Sequence, residues 1–204
     1  MKKDLVEKSH QIDTSSKKLL FLSGNRHKYE EIKPVAAEYG FHVEMLPGYK
    51  LEIQSDKLAE ITVYSALHAY SILMKPVLVE DAGLFIIALN GFPGPYSSFV
   101  YKTLGVNGIL KLMHGITDRR AYFESAVTVI YPPCIITETA RVHGVITYEP
   151  RGDKGFGFDP IFVPNGDERT FAEMSIEEKN KYSHRAKSIR KTFDRLSKCL
   201  ETIQ

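Results

Sequence analysis

Between Lys18 and Asp81 the apolar residues pass from a continuous run to a helical repeat, to strict alternation, to a second helical repeat and back to a continuous run. Such switching confines the chain to folds that interleave strands with helices. Lys18 to Ser23 (KLLFLS) reads as a buried strand. After Gly24 and Asn25, one helical face carries Tyr29, Ile32, Val35, Ala36 and Tyr39 and stops at Gly40, with Pro34 predicting a kink or a break. Phe41, Val43 and Met45 alternate with His42 and Glu44, as in a half-buried strand. A helix from about Leu58 to Leu73 stacks Leu58, Ile61, Ser65 and Ala69, and Pro76 leads into a buried strand that ends in Glu80 and Asp81.

Beyond Asp81, Phe85 to Leu89 is again strand-like, Gly91 to Tyr96 is a rigid loop, and Val106 to His114 fits a short helix. Phe123 to Tyr131 and Ile135 to Tyr148 are rich in Val, Ile, Thr and Tyr and meet at Pro132 and Pro133, which predicts a hairpin. Gly152 to Phe158 is a glycine-punctuated loop, and two helices close the chain, one after the capping box at Ser175 and one from Ser183 to about Leu200. The order predicts an α/β fold with a central mixed sheet flanked by helices. With 43% hydrophobic residues in 204, one core is expected over residues 18–204, after a polar, flexible extension at 1–17.

Charge and cysteine content narrow the function classes. Twenty-seven Lys and Arg against 25 Asp and Glu leave +2, which gives no field for coating nucleic acid. The uncharged stretch from Ala82 to Tyr101 is broken by Gly83, Gly91, Pro93, Gly94 and Pro95, so no spanning helix is expected. Asp4, Glu7 and Asp13 interrupt the N-terminus where a secretory peptide needs an apolar run, and a cytoplasmic location is expected. Cys134 and Cys199 form no CxxC pair or disulfide framework, fit a reducing compartment, and are expected only to pack.

Several segments can carry chemistry. Ser23 to Lys28 (SGNRHK) lies where a strand gives way to a helix, the place where free N–H groups bind phosphate. Gly24 permits close approach, Ser23 and Asn25 add donors, and Lys28 supplies a point charge; an Asn-capped helix after a tight turn is the plainer alternative. Glu80, Asp81 and Glu52 are hard oxygen ligands of the kind that suit Mg²⁺ with phosphates and water. Adjacent strand residues point to opposite faces, so at most one of Glu80 and Asp81 is expected to aim at a given site. Gly155 to Pro160 (GFGFDP) has dinucleotide-like glycine spacing, but Pro160 and the apolar run after it exclude the following helix. Phe156 and Phe158 around Gly157 suit a clamp on a planar ring with Asp159 accepting from its N–H groups, or else serve as core anchors. His184 and Arg185 at the last helix start offer donors to a base edge or to phosphate, and Lys179 is equally ambiguous.

SGNRHK, VEDAGL with FPGPYS, GFGFDPIF, TFAEMSIEEKN and SHRAK, in this order over about residues 18–200, resemble the inosine/xanthosine triphosphate pyrophosphatase family. The resemblance implies an elongated, two-lobed α/β protein with its site in the cleft between lobes, usually homodimeric. It also implies cleavage of ITP, dITP or XTP to monophosphate and pyrophosphate. On the matching positions it makes Ser23, Gly24, Asn25, Arg26, His27 and Lys28 the triphosphate segment, and Glu52 and Asp81 the magnesium ligands. Asp81 is also implied to be the general base, and Ala82 a substrate contact. Phe156, Gly157, Phe158 and Asp159 match the base pocket, Lys179 a further contact, and His184 and Arg185 the readers of the 6-keto edge. Ala82 stands where many members have Ser, and Phe158 where Tyr or Trp is common. A Maf-type pyrophosphatase and a nucleotide sensor without turnover are the rival readings. GFGFDP and SHR speak against the first, and Glu52, Asp81 and Lys28 against the second.

Overall fold

Leu19 and Phe21 alternate with Leu20 and Leu22, and all four are apolar, so the strand that carries them needs cover on both faces. A computed structural model, which describes residues 17–48 and 50–202, supplies that cover. The elements run β1 (Lys17–Phe21), α1 (Arg26–Glu38), β2 (Phe41–Met45), α2 (Leu58–Leu73), β3 (Val77–Ile86), β4 (Pro93–Gly94), α3 (Ser97–Thr103) and α4 (Gly105–Leu112). They continue with β5 (Arg120–Tyr131), β6 (Cys134–Ile146), β7 (Phe162–Pro164), α5 (Ile176–Asn180) and α6 (His184–Glu201). Leu19, Phe21, Leu78, Val127 and Val129 pack under α1 and α6, whereas Leu22, Val77, Val79 and Ile130 pack under α2.

The described strands form one sheet in the order β2-β1-β3-β5-β6-β7, with β4 also against β3. β2, β1 and β3 run parallel, and the remaining pairs are antiparallel, so the sheet is mixed as expected. Its far half carries a second apolar cluster, in which Leu84, Phe123, Phe158, Phe162 and Phe171 pack with Val100 and Ile109 of α3 and α4. One edge of β3 positions the site. β1 pairs with β3 only at Val77 and Leu78, and β4 only at Leu84 and Phe85, while β5 fills the opposite edge from Val77 to Ile86. Glu80 to Gly83 therefore lie on an edge without a neighbouring strand among the described residues.

Several expectations are corrected. The strand at Val77 does not end in its acids but runs ten residues to Ile86, and Ile87–Leu89 is a 3₁₀ turn. Pairing with β5 carries the strand through two carboxylates that local pattern reads as a terminus. α1 is not broken at Pro34. Cys134 and Cys199 are joined in a disulfide, because the hairpin turn and the end of α6 meet, a proximity that sequence spacing does not encode. The expected extension at 1–17 lies outside the described residues except for Lys17, the first residue of β1.

Candidate active site

Where β1 stops, the chain turns into α1 through short polar bonds. The Asn25 N–H donates to Ser23 Oγ at 3.1 Å, and the Lys28 N–H to Asn25 Oδ1 at 3.3 Å. Asn25 is thus a helix cap, as the plainer alternative held, and it also lines the cavity. From the first turn of α1 the Lys28 ammonium reaches the open edge of β3, 3.0 Å from Glu80 Oε2 and 3.3 Å from Asp81 Oδ1. Both acids therefore meet one cation, yet only Asp81 lines the cavity while Glu80 is buried behind it, as the opposite-faces expectation held. Side chains from both faces can turn round a strand edge that has no neighbour.

Asp81 Oδ1 also accepts the Ala82 N–H at 3.0 Å and stands 3.5 Å from Lys50 Nζ, whose ammonium is 2.6 Å from Glu52 Oε1. Burial opposes charge on Lys50, but Asp81 and Glu52 outweigh it and raise its pKa. Burial likewise opposes charge on Glu52, and Lys50 more than offsets it.

Towards α6 the polar network is buried. Glu80 Oε1 accepts from Arg185 Nε at 3.0 Å and from Ser125 Oγ at 2.9 Å. Burial would raise the Glu80 pKa, but Arg185, Lys28 and the Ser125 hydroxyl bring it down to about 2. Glu31, on the inner face of α1, bonds Arg185 Nη1 and takes Lys179 Nζ at 2.8 Å. Lys179 also donates to Asp159 Oδ2 at 2.7 Å, and the same oxygen accepts the Phe156 N–H at 2.9 Å. Lys28, Glu80, Arg185, Glu31, Lys179 and Asp159 form one chain of alternating charge.

Aromatic rings close this end. Phe156 stacks on His27 with centroids 5.3 Å apart, and Lys179 and Arg185 both face its ring. His184 stacks on Phe123 at 4.7 Å, and its buried Nδ1 has no hydrogen-bond partner among the described residues. Burial first, then Arg185, Lys179 and Lys28, push the His184 pKa well below its usual value, so the ring is neutral at pH 7. All of this surrounds a cavity of about 660 Å³, large enough for a nucleotide.

Residues 19–195 match the Ham1 family. The chain belongs to that family. A protein of Hyperthermus butylicus named dITP/XTP pyrophosphatase is 51% identical over 172 residues, 84% of this chain and 90% of the relative. An Ignicoccus hospitalis protein of the same name is 50% identical over 184 residues, 89% and 98% of the two chains. The solved Ham1 protein from Coxiella burnetii matches with a TM-score of 0.75 at 27% identity, over 89% of this chain and 99% of that one. Membership of the Ham1 family bears out the resemblance carried by the motifs, and the likeness extends over nearly the whole fold.

Within this Ham1 fold the cavity gathers Ser23, Gly24, Asn25, His27, Lys28, Glu52, Asp81, Ala82, Phe156, Gly157, Phe158, Asp159, Lys179, His184 and Arg185. Arg26 is not among the lining residues; its side chain is 83% exposed and pairs with Glu30 at 3.5 Å. The two Phe do not act alike. Phe156 faces the cavity's cations, whereas Phe158 is a buried anchor of the far cluster, edge-on to Tyr101. Lys50, Phe123, Glu31 and the bridging role of Glu80 escaped the sequence reading. Two faint signals existed: Lys28 and Glu31 share a helix face at i,i+3, and Lys50 and Glu52 share a side of an extended segment. Glu52 and Asp81 fit a divalent cation in one respect visible here, since both already converge on a single cationic atom, Lys50 Nζ.

Proposed function

We propose that this Ham1 protein hydrolyses non-standard purine nucleoside triphosphates, the class of ITP, dITP and XTP, to the monophosphate and pyrophosphate, and so clears them from the nucleotide pool. The observation that carries the reading is the buried ladder Lys28, Glu80, Arg185, which ties a strand-to-helix phosphate cup to an aromatic pocket within one cavity. The names of the relatives support the same substrate class.

In this reading the polyphosphate lies against the start of α1, where backbone N–H groups and Lys28 offset its charge. Asp81 orients the attacking water and takes its proton as the water's oxygen bonds to the α-phosphorus and pyrophosphate departs. Mg²⁺, held by Glu52 and Asp81, would neutralise phosphate charge and polarise the scissile bond. Phe156 offers its ring to the purine face. Arg185, with Nε and Nη1 fixed by Glu80 and Glu31, presents its remaining edge to a 6-keto oxygen. A guanidinium cannot accept a hydrogen bond, so an adenine amino group would leave a buried donor unpaired at a cost of about 1–3 kcal/mol. The enzyme is further proposed to be a cytoplasmic homodimer without nucleic-acid or membrane partners. Its near-balanced charge supports this, as do the exposed Phe99, Leu104 and Leu112 around α3 and α4. No described helix is long and apolar enough to cross a membrane.

The test offers ITP, dITP, XTP, ATP, GTP and pyrimidine triphosphates with Mg²⁺ and identifies the products. Pyrophosphate from the first three, in large excess over ATP, is the expected result. Orthophosphate release, preference for a pyrimidine base, or binding without turnover would each replace this reading.

A further inference from the structure

The two proposed metal-holding carboxylates already share a cation supplied by the chain. Lys50 Nζ stands 2.6 Å from Glu52 Oε1 and 3.5 Å from Asp81 Oδ1, and its side chain is only 16% exposed although it borders the cavity. Lys28 touches Asp81 too, but it has a second, fixed anion in Glu80, which Arg185 and Ser125 hold inside the protein. Lys50 has no such anchor: among the described residues its ion pairs are with Glu52 and Asp81 alone. It lies on the connection between β2 and α2, whose described residues form no helix or strand. Lys50 is therefore the cation of the pair that is free to leave.

We infer that the Lys50 ammonium is a resident counter-ion that holds Glu52 and Asp81 together before nucleotide arrives, and that a divalent metal must displace it. The inference rests on the proposed function. A divalent cation and an ammonium cannot share the same two carboxylate groups without strong repulsion at a few ångströms. An arriving triphosphate removes the conflict, because it brings new anionic oxygens for Lys50 and leaves the carboxylates to the metal. Metal and nucleotide therefore enter together, and the nucleotide-free enzyme binds metal weakly.

The experiment measures Mn²⁺ binding to the full-length, nucleotide-free protein by electron paramagnetic resonance, and ITP binding in EDTA by equilibrium dialysis. It uses wild type, Lys50→Met, Lys50→Gln, Lys50→Arg and Asp81→Asn. Lys50→Met and Lys50→Gln are expected to bind Mn²⁺ roughly tenfold more tightly than wild type. They are also expected to bind metal-free ITP more weakly, while Lys50→Arg follows wild type. Mn²⁺ affinity unchanged or lowered in both neutral variants overturns the inference while leaving the proposed function intact. Mn²⁺ binding that Asp81→Asn does not alter, together with metal-independent hydrolysis of ITP, overturns the metal-holding reading itself and the inference with it. Two neutral variants are included so that a folding defect in one does not decide the result.

Discussion

Asp81 Oδ1 receives the Ala82 N–H and faces the ammonium groups of both Lys28 and Lys50. Asparagine keeps that shape and removes the charge and the proposed base. Asp81→Asn is expected to unfold at the wild-type urea midpoint and to lose about 10²-fold or more of ITP turnover. Wild-type turnover in the folded variant would remove Asp81 from the mechanism. Glu80 makes a prediction in pH. Its carboxyl lies near pKa 2 in the fold and near its ordinary 4.5 in the unfolded chain. Its contribution to stability is thus complete above about pH 4.5 and is lost as pH falls towards 2, about 3 kcal/mol in all. Urea denaturation from pH 7 to 2 should show this slope, and Glu80→Gln should flatten it. The residues legible in the sequence were those that cluster in short motifs, such as Ser23 to Lys28 and Phe156 to Asp159. Glu31 was illegible because it reads as one more charge on a solvated helix turn, and its partners Lys179 and Arg185 stand 148 and 154 positions away.

At the scale of elements, periodicity and caps located α1, α2, α5 and α6, whose signals are local. β3 was read as two pieces because Glu80, Asp81 and Gly83 interrupt its apolar pattern, and only the unbroken ladder with β5 shows it to be one strand. α3 was missed, being only seven residues long and following directly on the Gly- and Pro-rich loop that ends at Tyr96. The loop before Asp159 is fixed by a glycine. Gly155 has φ +70°, and a Cβ there would fall 2.2 Å from Asp159 Oδ2. Gly155→Ala must therefore strain the backbone and push Asp159 off Lys179. A stability loss of about 2 kcal/mol and a raised KM for ITP are expected, measured by urea melts and steady-state kinetics. Wild-type values for both would show that the loop can shift without consequence.

The whole molecule is closed by the bond between Cys134 and Cys199, which spans 65 positions. In the chain-entropy account a loop of that size is worth about 4 kcal/mol, so the Cys134→Ser, Cys199→Ser double variant should melt well below wild type. Neither cysteine lines the cavity, and ITP turnover at temperatures where the variant is folded should change little. An equal melting temperature would mean that the thiols are not joined in solution. The same bond gives the covalent structure a ring. Phe156, Asp159, Lys179, His184 and Arg185 all lie inside it, whereas Lys28, Glu52 and Asp81 lie on the tail that enters it. The stretch 150–155 is exposed throughout and contains Lys154, a target for trypsin. A molecule nicked there should run as a single band on a denaturing gel without reductant and as two with it. The loss of one peptide bond in that loop does not release the residues proposed to read the base from those proposed to hold the phosphates.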